Sequence, residues 1–404
     1  MNDLLLAETD VSRLKSDSNF PELSFNQFRY ERPNIAKVTV EFDTLIAEFD
    51  AAVSVDEQND VIARINKLRD KIETQISIAE VRHSIDTEDK FYKEEQEFVD
   101  EATPQFGELI NRYYKHVLNS PFRAELEERW GKQMFDLAET AMKTMSPEII
   151  PLLKQENKLI SQYNDLLAAA EIPFEGKMEN LQGLMAYESN TDREIRKKAV
   201  NAKFGFFATN TEEIDDIFDQ LVKLRAKIAS ELGFNNFVEL AYARMARTDY
   251  NAADVERFRG SVLKYIVPAV SDLYARQQKR LGVEQLYYHD EQLIFSDGNA
   301  TPHGDAEFIL NNGSKMYREL SGETDYFFQY MMKNELLDVE NKKSKAGGGY
   351  CTNFAEYGAP FIFSNFNGTS ADIDVLTHEA GHAFQTFESR DFDIPEYKWP
   401  TYEA

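Results

Sequence analysis

The chain has 404 residues, 71 of them acidic and 45 basic, so its formal net charge at pH 7 is -26. A phosphate backbone repels so negative a protein, which argues against nucleic-acid binding. The N-terminal stretch has no basic start and no sustained apolar run, and no window approaches a membrane span, so neither secretion nor membrane insertion is expected. The single cysteine, Cys351, fits a reducing compartment, and we expect a cytoplasmic protein.

Helical patterns dominate the first part of the chain. Apolar residues recur there at steps of three and four. The predicted helical segments are 35–85, 88–118, 120–145 and 147–170. Breaks are expected at three prolines: Pro104, Pro121 and Pro147. These patterns are typical of long antiparallel helices, and they predict an N-terminal helical region over residues 1–175.

More helices are predicted beyond that boundary. Their ranges are 181–187, 192–207, 211–232 and 252–281. An irregular stretch over 285–305 follows, with His289, Asp290 and His303 in it. No shared face or fixed spacing brings these side chains together, so we interpret them as loop residues rather than a second metal site.

A short aromatic and β-branched run over 360–364 is bounded by Gly358 and Asn367-Gly368, which predicts a strand. The preceding glycines, Gly347–Gly349, lack the lysine and serine or threonine of a nucleotide loop, and a hinge-like turn fits them better. Cys351 lies between the two features. A nucleophilic role is conceivable there, but a buried, inert thiol is the more economical interpretation.

The most specific motif is His378-Glu379-Ala380-Gly381-His382, which lies within an amphipathic helical pattern that begins near Asp372. With about 3.6 residues per turn, both histidines share one helix face and can bind one zinc ion. Glu379 points away from them and stays free to act as a general base. Either Ser370 or Asp372 is expected to cap the helix.

Catalytic zinc normally has three protein ligands, so two histidines leave the site incomplete. The other histidines lie far upstream. The acidic residues after His382 are Glu388, Asp391, Asp393, Glu396 and Glu403. Glu388 should point elsewhere on the same helix, and the next three lie in a proline-containing connection.

Several stretches carry a family resemblance. They are Gly347 to Phe354, Pro360 to Thr369, His378 to Gln385, Asp192 to Ala199, Leu232 to Leu240 and Arg244 to Tyr250. From about residue 180 onward the chain resembles the oligoendopeptidase F branch of the thimet-oligopeptidase metallopeptidases. The first 180 residues match in helical character more than in motif.

The resemblance implies that His378 and His382 are zinc ligands and that Glu379 is the general base. It places the third ligand, a glutamate, just past Ala404, with Glu403 only as a fallback. Residues 176–404 would then be the N-terminal portion of a zincin-type catalytic domain with a small β-sheet, in a mainly α fold that encloses a deep cleft. The chain is expected to lack the family's C-terminal part, with its substrate-binding tyrosine and histidine residues.

The leading hypothesis is a zinc-dependent endopeptidase that cleaves short oligopeptides with metal-activated water and Glu379 as the base. A strand edge near the metal commonly pairs with an extended substrate, and residues 361–365 are a candidate for that role, although an ordinary strand is equally compatible with the pattern. One alternative is a metal-free helical scaffold or peptide-binding protein with a degenerate motif. Another is a zinc hydrolase that acts on other substrates. Oligomeric state is not readable from the sequence.

Overall fold

The computed structural model describes residue 20 and residues 22–398, so Glu403 and the first residues of the chain lie outside the described part. The helices of the first half, in chain order, are α1 (Ile35–Ala51), α2 (Val55–Ile85), α3 (Lys90–Leu118), α4 (Arg123–Trp130), α5 (Lys132–Ala141) and α6 (Ile150–Ala168). A hairpin of β1 (Ile172–Phe174) and β2 (Lys177–Glu179) follows. The boundary predicted between residues 175 and 176 falls in its turn, and its role as a domain boundary stays a prediction.

The second half is also mainly helical. Its helices are α7 (Leu181–Tyr187), α8 (Arg193–Thr209), α9 (Thr211–Glu231), α10 (Phe237–Arg244), α11 (Ala252–Ser261), α12 (Val267–Leu281), α13 (Ala306–Leu320), α14 (Gly322–Lys333) and α15 (Ala371–Ser389). Its strands are β3 (Leu337–Glu340), β4 (Tyr350–Phe354) and β5 (Ala359–Phe366). A π turn over Val262–Ile266 joins α11 to α12 within the segment predicted as one helix. The mainly α fold with a small sheet is confirmed.

The breaks between the N-terminal helices differ in part from the prediction. Segment 35–85 is divided, because the chain leaves α1 at Ala52 and the Ser54 hydroxyl caps α2 by accepting from the Glu57 N–H at 3.3 Å. Segment 120–145 is divided at Gly131, whose φ of 86° suits glycine. Pro121 and Pro147 do lie between helices, as predicted.

The break predicted at Pro104 is wrong, because α3 continues through this residue. A proline inside a helix removes the hydrogen bond to the carbonyl four residues earlier, here that of Asp100. The Asn157 side chain on α6 donates to that carbonyl instead, at 3.0 Å. A tertiary contact therefore replaces the missing backbone bond, and local propensity alone did not reveal it.

The three-stranded sheet has the order β3-β5-β4, with β5 parallel to β3 and antiparallel to β4. The strand predicted over 360–364 is confirmed as part of β5, whose residues are all buried. Helix α15 packs against β4 and β5, and α2 packs against β4. Successive strand residues face opposite sides, so Tyr350 points toward Ser84 of α2 whereas Cys351 points toward Glu379 of α15.

The segment after α15 returns to the N-terminal helices. Ile394 is buried in the core that α1 to α5 form. The Asn66 side chain donates to the Asp393 carbonyl at 3.0 Å, and the Tyr397 hydroxyl donates to the Trp130 carbonyl at 2.8 Å. The N-terminal helices thus fix the path of the chain beyond the motif. Across the described ranges, no helix is both long and apolar enough to cross a bilayer.

Candidate active site

Helix α15 brings the two motif histidines together. Its buried face carries Leu376, Ala380 and Phe387 into the core around the sheet, so the opposite face looks outward. There the Nε2 atoms of His378 and His382 lie 3.1 Å apart, with ring planes at 84°. Two nitrogens on a tetrahedral zinc ion lie about 3.3 Å apart, given zinc–nitrogen distances of 2.0–2.1 Å. The arrangement therefore fits a shared zinc ion.

The start of α15 differs from the prediction. Ser370 occupies the N-cap position, but its side chain makes no capping hydrogen bond. Asp372 instead turns back, and its two carboxylate oxygens accept from the backbone N–H groups of Asn367 at 2.9 Å and Gly368 at 2.8 Å. This carboxylate fixes the turn that joins β5 to α15.

Glu379 lies between the histidines in sequence but points into the protein, where it is 7% exposed. Burial raises the pKa of its carboxyl above the ordinary value, while His378, His382 and a hydrogen bond from the Cys351 backbone act in the opposite direction. A Cβ on Gly349 would lie 3.8 Å from Glu379 Oε1. The carboxyl therefore faces the first residues of β4.

Residues 20 and 22–398 contain no group of three histidine, cysteine or acidic side chains placed to hold a metal ion. Among the candidates after His382, Glu396 is bound to Arg69 and Tyr114 inside the N-terminal helices. Glu388, Asp391 and Asp393 are exposed. The fallback candidate Glu403 lies outside the described residues.

The substrate-pairing role suggested for residues 361–365 is wrong. These residues belong to β5, which lies between β3 and β4, and β4 pairs with it as far as Phe363. A central strand has no free backbone groups to offer an extended peptide. Within the described part of the sheet, the edge next to Glu379 is that of β4, Tyr350–Phe354. Alternating Tyr350, Thr352 and Phe354 after a glycine run are a strand signal that could have identified it.

Cys351 is buried, as the sequence interpretation favoured. Burial, together with the negative charge of Glu379, raises the pKa of its thiol far above the ordinary value. A thiol in this state is a poor nucleophile because the thiolate is the reactive form. Strand β5 fixes the position of the glycine segment before Cys351. The side chain of Asn365 in β5 donates to the carbonyls of Ala346 at 2.9 Å and Gly348 at 2.8 Å.

Asp290 belongs to a structural ion-pair cluster rather than to a metal site. Its carboxylate is fully buried and accepts from Arg193 at 2.7 and 3.0 Å and from Arg196 at 2.8 Å. Burial raises the pKa of this carboxyl, but the two guanidinium groups and the Tyr287 N–H outweigh that effect and hold it well below its ordinary value. His289 Nε2 lies 3.7 Å from Asp290 Oδ1, beside the same ion-pair cluster.

Two family models match long stretches of the chain. The model for the peptidase M3 N-terminal domain matches residues 25–145, and that for peptidase family M3 matches residues 186–294 and 324–399. The crystal structure of a Bacillus anthracis strain Ames protein named as an oligoendopeptidase F is 55% identical, with a TM-score of 0.93, over 94% of this chain and 70% of that chain. The chain belongs to peptidase family M3.

Other relatives of this M3 chain include a solved structure and a sequence match. The structure of PZ peptidase A with an inhibitor is 53% identical, with a TM-score of 0.93, over 94% of this chain and 68% of that chain. Oligopeptidase PepF of Bacillus subtilis strain 168 is 21% identical over 212 residues, which are 49% of this chain but only 29% of that protein. The M3 family is a family of metalloendopeptidases, and the chain spans only part of the length of these relatives.

Proposed function

We propose that this chain carries the metal-binding motif of a zinc-dependent endopeptidase that hydrolyses short oligopeptides, with Glu379 as the general base. The observation that carries the proposal is the convergence of the His378 and His382 Nε2 atoms to 3.1 Å beside a buried glutamate. In a metal-free scaffold, the two histidines would be expected to be buried and hydrogen-bonded within the protein. His378 is instead exposed, which favours a metal-binding role.

The donor set suits zinc, because two neutral imidazoles on one helix face are its usual ligands in peptidases. When bound, the ion would supply Lewis-acid polarisation of a peptide carbonyl and a lowered pKa for water in the site. Glu379 would accept the proton of the attacking water and pass it to the leaving amine. Its burial keeps it oriented between α15 and β4 for both transfers.

The free edge of β4 is the proposed binding platform for the substrate backbone, since an extended peptide can extend a sheet by one strand. Gly349 supports this position. A Cβ there would lie 3.1 Å from Val375 Cγ1 and 3.4 Å from the Phe363 carbonyl oxygen, so a larger residue would disturb the contact between the strand and the metal helix. Glycine at 349 thus leaves the space in front of Glu379 open.

The third zinc ligand is proposed to be a glutamate outside the described residues, with Glu403 only as the fallback. Glu396 is unsuitable because Arg69 and Tyr114 already bind it. A cytoplasmic location and short peptides as the main partners complete the proposal. The single cysteine and the net charge of -26 are consistent with this location and with the absence of nucleic-acid binding.

Two variants test the assignment. Glu379→Gln should still bind zinc but lose cleavage of a quenched fluorescent peptide by about 10²–10⁴-fold, the usual contribution of a general base. His378→Ala should lose the metal itself, as measured by zinc content after gel filtration. Equal zinc content in His378→Ala and the unmodified chain would refute the metal site, and near-normal cleavage by Glu379→Gln would refute the base.

A further inference from the structure

A cavity lies on the other side of β4 from Glu379. It encloses about 440 Å³, within the range of about 300–1,000 Å³ that is typical of ligand pockets. Its walls come from α2, α3, α6 and the first half of β4. The lining residues come from four separate stretches between residues 80 and 352, so no motif predicted the cavity.

The wall of the cavity carries acidic side chains and one histidine. The acidic groups and the histidine are Glu80, Asp100, Asp165 and His83; Tyr350 and Cys351 also line the cavity, and both have raised pKa values, chiefly through burial. None of the described residues that line the cavity is a lysine or arginine. Glu80 has no ion-pair partner among the described residues. The Glu80 side chain is exposed, and the surrounding protein together with the neighbouring Asp100 raises the pKa of its carboxyl above the ordinary value. Asp100 accepts from the Gln96 side chain at 3.0 Å, but it has no cationic partner in the cavity.

His83 provides a second, independent observation that points to a ligand. It is only 7% exposed, yet its Nε2 atom has no hydrogen-bond partner. The nearest acceptor, Asp165 Oδ1, is 3.6 Å away and is also buried without a hydrogen bond. Lys93 approaches only the other oxygen of Asp165, at 3.7 Å, from a half-exposed position. Burial lowers the pKa of His83, which favours the neutral ring, and a neutral ring with its proton on Nδ1 accepts a hydrogen bond at Nε2.

The position of the cavity relates it to the proposed active site. Tyr350, Cys351 and Thr352 line it, and the Cys351 backbone also contacts Glu379. Side chains of an extended peptide alternate between the two faces of a sheet. A peptide along the edge of β4 would therefore direct one side chain toward α15 and the next toward this cavity.

We propose that the cavity is a substrate subsite that binds a cationic group, an alkylammonium or guanidinium, of the peptide. The inference rests on the proposed function, because it takes the edge of β4 as the substrate platform. The cation would donate to Asp165 Oδ1 and Glu80, and an ammonium would also reach the unpaired His83 Nε2. It would relieve the repulsion between Glu80 and Asp100 as well. The cation can come from a lysine or arginine side chain or from the N-terminus of the peptide.

Binding is measured with the Glu379→Gln chain, so that no peptide is cut during the experiment. The probes are fluorescent peptides that differ only by lysine or norleucine at successive positions, each with a free or an acetylated N-terminus. We expect lysine at one position to strengthen binding about tenfold, as a charge-assisted hydrogen bond would. If acetylation alone removes the gain, the N-terminus is the source. Equal binding of all peptides, or no binding at all, would overturn the proposal.

Two substitutions should remove the preference for lysine: Asp165→Asn and Glu80→Gln. The matched control is Asp272→Asn, which makes the same change of charge on an exposed face of α12 that does not line the cavity. The control should keep the preference. Loss of the preference in the control to the same extent would show a general electrostatic effect and refute the subsite.

A second measurement does not depend on the acidic variants. The chain has six histidines, so the ring signal of His83 can be assigned by its disappearance in His83→Gln. It should shift when n-butylammonium is added and stay in place with n-butanol. No shift with the amine would overturn the proposal. Failure of the zinc-loaded chain to cleave any peptide would refute the proposed function instead, and these binding results would still decide the subsite.

Discussion

Replacing Glu396 by glutamine should destabilise the protein strongly. The carboxylate of Glu396 accepts from Arg69 and Tyr114, and the side chains of Arg69 and Glu396 are only 5% and 12% exposed. The variant keeps the shape but leaves the guanidinium buried without this partner. Breaking a buried ion pair on one side costs about 3–5 kcal/mol. We therefore expect the free energy of unfolding, from urea titration followed by circular dichroism at pH 7, to fall by that amount.

The same variant predicts a specific pH dependence. Burial alone would raise the pKa of Glu396, but Arg69 and Tyr114 hold it below the ordinary value. A carboxyl whose pKa is lowered by folding stabilises the protein above its unfolded pKa, about 4.3, and that contribution is lost as the pH falls through the folded value. The difference between the unmodified chain and Glu396→Gln should thus be full at pH 7 and should shrink below about pH 4.

The control removes both charges. Arg69→Met combined with Glu396→Gln should recover much of the lost stability, because a neutral pair has no unpaired charge to bury. A single Glu396→Gln variant within about 0.5 kcal/mol of the unmodified chain, the range of ordinary surface substitutions, would refute this account of the ion pair. A stability difference that is the same at pH 7 and pH 3.5 would refute it too.

Three further predictions concern individual side chains. Asp290→Asn should lower the free energy of unfolding by about 3–5 kcal/mol in urea titrations, because Arg196 is then buried without a carboxylate, and a loss below 1 kcal/mol would contradict the role of the cluster. Thr386→Val should leave stability unchanged or raise the urea midpoint, since the buried Thr386 hydroxyl has no hydrogen-bond partner, and a large loss would reveal a bond that the structure does not show. Cys351 should react with a disulfide reagent far more slowly in the native protein than in urea, and equal rates would show that its thiol is accessible.

Local patterns predicted the features that depend on neighbours in the sequence. The register of the motif helix follows from its periodicity, and the strand over 360–364 follows from its aromatic and β-branched composition between turn residues. Both are confirmed. His378 and His382 lie close together because residues four apart share a helix face. The helical first half was also readable, since its apolar stripes have the period of a helix.

Features that depend on distant partners were not readable. The helix through Pro104 is completed by Asn157, more than fifty positions away in the chain. The edge strand was misplaced because the order of strands in a sheet is not encoded in the pattern of any one strand, and β5 proved to be central. Asp372 does not cap α15 in place of Ser370, because its carboxylate accepts from the N–H groups of Asn367 and Gly368 in the turn before the helix.

Residues 393–398 pack against the N-terminal helices, so the motif helix α15 cannot be separated from those helices without losing contacts of the segment that follows it. Helix α2 binds this segment through Asn66 and Arg69. Farther along the same helix, Glu80 and His83 line the cavity. A graft of α15 onto another scaffold would transfer the two imidazoles. It would not transfer the contacts with α2 that position the chain after α15. Transplanting the motif would therefore require α2 to travel with it, although hundreds of residues separate the two helices.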